Sequence, residues 1–359
     1  MSDYITGLRR DLVEAAAHQQ QHSPARRLAR PLHPRSWRPM ALLGAGAAVA
    51  GLLLLVVTLR AVSPPPPPAS PKLVATYQLG GQPRDATTIG GALLIADSGG
   101  NLVEVSPSDP RHRQQLDVGG TPNSIAVDGT SAWVTSVASL RDLNHSYLVQ
   151  LDTRTRRRLA RVPLLDRYAS HVAVGAGGVW MAADLHAGGL ARFDPRTHRR
   201  TAYVPRVAVE GVAAADRSVW TRAHATVTQW DAAGRVVNRV RGVSPTLGDE
   251  SQRTLLADAD GAWVVGQSDG LLYRIESGRV IRRLELGHTA GVIAGRGSTV
   301  WVTASPGVDR YELVRVDAHE REVTGRVGVG RFAPQAIVPI GNDVWVVTNA
   351  GTLMRVSTG

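Results

Sequence analysis

The chain of 359 residues contains no cysteine. Disulfide cross-links, a thiol nucleophile and a cysteine-ligated metal site are therefore excluded. No His, Asp or Glu spacing matches a metal-binding signature, and no cofactor-binding motif is present, so neither a metal nor a cofactor is expected. Long apolar runs are confined to one place near the N-terminus, and no helical period competes with strand-like alternation beyond residue 72. What is abundant is turn chemistry. There are 37 glycines and 21 prolines in a chain that is 43% hydrophobic, which gives many turns together with enough apolar surface for a packed core. The formal net charge of +11 is compatible with nucleic acid, anionic lipid or an envelope polymer as partner, and compartment has to decide among them.

Pro39 to Leu59 supplies 21 uncharged residues, PMALLGAGAAVAGLLLLVVTL. At 1.5 Å per residue a helix of that length crosses the roughly 30 Å hydrocarbon layer. The run is longer than a secretory apolar region and is preceded by nearly forty residues, which favours an uncleaved anchor. Arg26, Arg27, Arg30, Arg35 and Arg38 precede the run, whereas Arg60 and Lys72 are the basic residues that soon follow it. Positive charge stays on the cytoplasmic side, so the expectation is a single-pass cell-membrane protein with its N-terminus inside and residues 72–359 extracytoplasmic. Residues 1–38 form a basic cytoplasmic tail. Within it, Tyr4, Ile5, Leu8, Leu12, Val13 and Ala16 would share one face of a short amphipathic helix. Residues 60–71, with five consecutive prolines from Pro64 to Pro68, read as a stiff spacer.

Beyond the spacer the sequence repeats. Trp133, Trp180, Trp220, Trp263, Trp301 and Trp345 sit in near-identical settings, with gaps of 47, 40, 43, 38 and 44 residues. Leu93 fills the same slot one unit earlier. Seven units of this period, each with an inner apolar strand, a Trp strand, an alternating strand such as LVQLD or LVRVD and a further strand, predict an all-β, seven-bladed β-propeller. The last unit ends at TLMRVSTG and lacks its fourth strand. KLVATYQLG at 72–80 matches the missing strand, and pairing it with the final blade would close the ring and remove an open sheet edge.

The runs VWVTA and VWVVTN, the Asp-Pro-Arg-Thr turn at 194–197 and the Gly-Thr-Pro opening at 120–122 resemble YVTN-type propellers. More distantly, residues 72–359 are similar to NHL repeats and the streptogramin (virginiamycin B) lyase family. The resemblance implies the propeller fold. It leaves function open among binding scaffolds, wall-associated proteins and a few enzymes.

Propeller order assigns two faces. Loops between blades and between second and third strands form the top; turns between third and fourth strands form the bottom, which is expected to face the membrane. Alignment on the tryptophans places Arg84 and Asp85, Asn123 and Ser124, Ser170 and His171, Glu210, Arg253 and Gln335 before successive inner strands, around the mouth of the central channel. A long insertion at 138–146 adds Arg141, Asp142, Asn144 and His145, and Asp184 and His186 fall in the corresponding loop of the next blade. Two readings of these residues follow. The first is a membrane-anchored binding or scaffold module that holds a cell-envelope ligand or protein partner on its top face. The alternative is a lyase or hydrolase in which His171, Glu210 or His288 carries acid and base roles at the channel mouth. Ordinary water-solvated channel lining would present the same residue types. The bottom turns carry Arg154, Arg156, Arg157, Arg158, Arg196, Arg199, Arg200, Arg279, Arg282 and Arg283, an expected contact for anionic lipid. Nucleic acid is not the expected partner, because no stacking aromatics interleave these arginines.

Overall fold

In six of the seven repeats the second strand carries a tryptophan into the space between neighbouring sheets, and in the first it carries Leu93. Five of these rings (Trp133, Trp180, Trp220, Trp263 and Trp345) are at most 1% exposed, and Trp301 and Leu93 are likewise buried. Across the ladder, Trp180, Trp263, Trp301 and Trp345 stand opposite Arg192, Arg274, Arg315 and Arg355, while Trp133 and Trp220 stand opposite Gln150 and Gln229. Six blades thus bury a large ring opposite a long polar side chain of the next strand, with the guanidinium of Arg274 5.2 Å from the centre of the Trp263 ring.

The structure is a computed structural model that describes residues 69–139, 141–164, 169–183, 188–245 and 253–358. The basic tail, the 39–59 run and most of the Pro-rich spacer, as well as Asp184 and His186, lie outside the described residues. Among the described residues no helix is long and apolar enough to cross a membrane. Residues 67–359 form one unit. Its strands pair into seven four-stranded antiparallel sheets, which span 83–117, 121–164, 169–205, 211–241, 255–285, 289–330 and 334–357 and are here called blades 1 to 7.

Blade 7 takes its outer strand from the front of the unit. Lys72–Gln78 pairs with Thr352–Ser357, in register from Lys72 opposite Ser357 to Gln78 opposite Thr352. Its side chains serve two seams: Leu73 packs into the cluster shared with blade 6, and Tyr77 and Leu79 into the cluster shared with blade 1. The Tyr77 ring lies 6.1 Å from that of Trp345. Closure by the first strand, expected from sequence, is the observed topology.

The bottom turns are built by aspartate. The carboxylates of Asp152, Asp194, Asp231 and Asp317 each accept two backbone N–H bonds from residues two to four positions ahead. In three of these turns the chain then passes through a left-handed residue: Arg156, His198 and Arg321 have φ of 62°, 58° and 58°. These hydrogen bonds hold the Asp152, Asp194 and Asp231 carboxyls below the usual carboxylate range. An anchored anion thus opens each of these turns beside its arginines, and Arg156 is itself taken by Glu104 at 2.6 Å.

Candidate functional site

One backbone device decides which sequence candidates meet. In blades 1, 2, 3 and 7 the inner strand carries a register shift at its top end, between Pro83 and Asp85, Pro122 and Ser124, Ala169 and His171, and Pro334 and Ala336. The unpaired extra residue is Arg84, Asn123, Ser170 or Gln335, and such a bulge turns consecutive side chains to different destinations. The residue after the bulge lines the central channel in the first three cases, as Asp85, Ser124 and His171. The bulged residues themselves do not line it. Arg84 is exposed. Asn123 donates to the carbonyl of Ser170 at 2.7 Å, which ties blade 2 to blade 3, and Ser170 donates to the carbonyl of Ala182.

The channel, a cavity of about 650 Å³, runs between the seven inner strands. Small aliphatic side chains form most of its wall, and its top is crossed by an ion pair. Arg253 of blade 5 reaches Asp85 of blade 1 through Nε and donates through Nη2 to the carbonyl of Ile125 in blade 2 at 3.0 Å. Asp85, 1% exposed, also accepts from Ser124 Oγ at 3.2 Å and from the backbone N–H groups of Ala86 and Ile125, both at 2.8 Å. Four donors from three blades satisfy this carboxylate, so the charge is paired and hydrogen-bonded as burial requires. The outcome is a clamp across the ring.

His171 lies beside the clamp, 4% exposed, and its Nδ1 finds no hydrogen-bond partner. Burial is the main reason its pKa falls from 6.5 to about 4, with Asp85 pulling it up and Arg253 pushing it down. The imidazole is consequently neutral in the fold. Between these values the unfolded chain binds a proton that the native state does not, so stability rises with pH. Stability is expected to be full above pH 6.5 and to decline as pH falls toward 4, by at most about 3 kcal/mol. The aspartates with lowered pKa lose their contribution in the same direction, but at more acidic pH. Urea titrations at pH 7.5 and pH 5 should show the decline, and His171→Phe should flatten it; an equal slope in that variant would assign the pH dependence elsewhere.

Other sequence candidates go to separate places. Glu210 does not line the channel: its carboxylate accepts from the backbone N–H of His224 and pairs with that residue's Nδ1, both at 2.7 Å. His288 is exposed, and its N–H donates to the carbonyl of Ser305. His171, Glu210 and His288 are thus held by three different surroundings, and no contact joins His171 to Glu210 among the described residues. In the long hairpin Asp142 pairs with His145 at 2.7 Å, and Arg141 is exposed beside them.

Gln335, the bulged residue of blade 7, helps line a second cavity of about 180 Å³ at the top of blades 6 and 7, together with Gln267, Thr289, Thr303, Ser305 and Tyr311. No charged side chain lines it. The inner strand of blade 6 makes room through an irregularity between Ala290 and Ile293, where the N–H of Val292 turns onto Thr303 Oγ1 at 3.0 Å. A Cβ at Gly291 would lie 2.6 Å from that oxygen, so a side chain there would displace the Thr303 hydroxyl. Apart from Gln335 these residues carry no mark in the sequence, because the pocket arises from a distortion of pairing. A further polar group that periodicity does not show is Arg222. It is fully buried, it donates to the carbonyls of Val265 and Ser244, and burial lowers its pKa to about 10.

No protein-family model matches the chain, and no curated protein matches it. Among solved structures, the WD40 β-propeller domain of Doa1 superposes with a TM-score of 0.62, covering 80% of this chain and 97% of that one at 13% identity. At that identity the likeness establishes architecture alone: residues 72–357 are a seven-bladed β-propeller.

Proposed function

We propose that the chain is a membrane-anchored, extracytoplasmic binding module, with residues 39–59 as its anchor and the propeller as a rigid platform for a cell-envelope ligand or partner. The anchor rests on the uncharged run and the arginines before it. The observation that carries the binding role is the uncharged pocket at the top of blades 6 and 7, where amides, hydroxyls and a tyrosine converge on a bulged inner strand. Loops and bulges on a rigid sheet scaffold are where binding groups concentrate. A neutral lining that both donates and accepts suits hydroxyl- and amide-bearing groups such as those of envelope glycans. The channel clamp contributes rigidity, since its charges are satisfied by one another.

Ligand-observed NMR with a 69–359 fragment and soluble neutral envelope oligosaccharides tests this reading. Saturation transfer is expected, and combined replacement of Gln335 and Tyr311 by alanine should weaken binding about tenfold or more, as the loss of two polar contacts implies. Binding that survives the double replacement unchanged would remove the pocket from the mechanism.

A further inference from the structure

Several arginines of the propeller have anionic partners. Arg156 pairs with Glu104, Arg235 with Asp231, Arg274 with Asp258 and Glu276, Arg321 with Glu276, Arg326 with Glu312 and Arg355 with Asp343. The outer strands of blades 4 and 5 differ. Val236–Arg241 reads VVNRVR and Arg279–Glu285 reads RVIRRLE, so Arg279, Arg282 and Arg283, expected in a bottom turn, stand on an outer strand instead. Arg239, Arg241, Arg279, Arg282 and Arg283 are all exposed, none makes an ion pair among the described residues, and Glu285 is the lone acidic residue on the two strands. Between these cations stand aliphatic side chains that a solvated edge does not need: Val236 is 46% exposed, Val237 53% and Ile281 40%. The two strands form a continuous flank, because the turn at Gly278 packs on the outer strand of blade 4. A Cβ there would lie 2.8 Å from Asn238 Oδ1.

We propose that this flank docks on an anionic phospholipid surface. Arginine forks match phosphate oxygens bidentately, and small aliphatic side chains between them enter the boundary between headgroups and acyl chains. Charge complementarity selects the occupant in two steps. The bottom turns hold as many arginines, but anchored aspartates sit among them, so the field there is divided. On the flank five arginines stand against Glu285 alone. A nucleic acid would ask for exposed rings on which to stack, and the two strands present none. The aliphatic members give the surface an affinity that a purely electrostatic polyanion site would lack. The inference extends the membrane reading above to a second contact, and it stands or falls separately from the anchor because residues 39–59 are absent from the test.

The fragment 69–359 contains every strand of the seven sheets and so carries the complete ring. Its co-sedimentation with phosphatidylcholine vesicles containing phosphatidylglycerol is compared with sedimentation on pure phosphatidylcholine. Partition onto the anionic vesicles alone is expected. Arg239→Glu with Arg282→Glu should reduce it at least about tenfold, at roughly 1 kcal/mol per charge near such a surface. Val237→Ser with Ile281→Ser should reduce it without a change of charge, and Arg154→Glu with Arg196→Glu on the bottom turns should leave most of it intact. All six positions are exposed, and unchanged thermal melting confirms folding. The proposal is overturned if the fragment does not partition onto anionic vesicles, if the flank charge reversal has no effect, or if the bottom pair abolishes binding in its place. It is also overturned if the serine pair binds as tightly as the parent, which would leave a site for soluble polyanions.

Discussion

Removal of Lys72–Gln78 is expected to abolish the cooperative melting of the propeller. A chain that begins at Gln82 keeps all three strands contributed by the C-terminus to blade 7 and leaves Thr352–Ser357 with one edge unpaired. The lost strand does more than complete a ladder. Leu73 belongs to the core between blades 6 and 7, and Tyr77 and Leu79 to the core between blades 7 and 1. Arg113 of blade 1 also donates to the carbonyls of Gln78 and Leu79, so a third set of contacts across the seam goes with it. These three side chains are partly buried, so losing each forfeits less than the about 1.5–3 kcal/mol of full burial, but with the ladder and the seam hydrogen bonds the loss is a large share of the roughly 5–15 kcal/mol that holds a whole domain together. The open edge is in addition a template for association. Circular dichroism melts and gel filtration of fragments 69–359 and 82–359 make the comparison. The second should show no sharp transition and should elute as aggregate; a melting temperature within a few degrees of the first would contradict closure by this strand.

The second large effect is expected at Asp85. Truncation to alanine leaves Arg253 extended over the channel with one carbonyl as partner, and strands the N–H groups of Ala86 and Ile125 and the hydroxyl of Ser124. Removing one member of a buried pair typically costs about 3–5 kcal/mol, which in a domain of this size lowers the melting temperature by roughly 10 °C. Arg253→Ala should cost less, about 1–3 kcal/mol, because three donors still hold the carboxylate. The double variant is expected to be more stable than the sum of the single losses implies, since two residues in contact couple. Additive losses in denaturant titrations would show that the clamp is two independent contacts.

The two experiments touch features of different origin. The repeat length, the strand alternation, the burial of six tryptophans and the missing strand at the C-terminus are local patterns. Each can be read within some forty residues, because every unit repeats the same strand order and offers its ring to the same kind of seam with the next blade. Even the closing strand is legible, as it resembles the fourth strands of the other units. The site is different. Alignment on tryptophan brought residue pairs such as Arg84 and Asp85, or Asn123 and Ser124, to the channel mouth together, but a one-residue bulge separates them and sends one of each pair inward. Periodicity counts residues and is blind to a bulge that leaves the count unchanged. Glu210, placed by the same alignment, turns onto His224.

What the sequence determined by itself is the ring: seven blades, their order, and the strand that closes them. Those follow from contacts between neighbours in the chain, repeated at a fixed period. Only the tertiary structure decided what the ring encloses. Arg253 and Asp85 are 168 residues apart, and nothing in either neighbourhood announces the other. They meet because closure of seven blades brings the inner strands of blades 1 and 5 to the same narrow channel, where a buried carboxylate must find donors wherever the fold supplies them. The pocket at Gln335 and the bare arginine flank have the same origin. Both are set by how blades lie against one another, and that arrangement exists only once the first strand has joined the last.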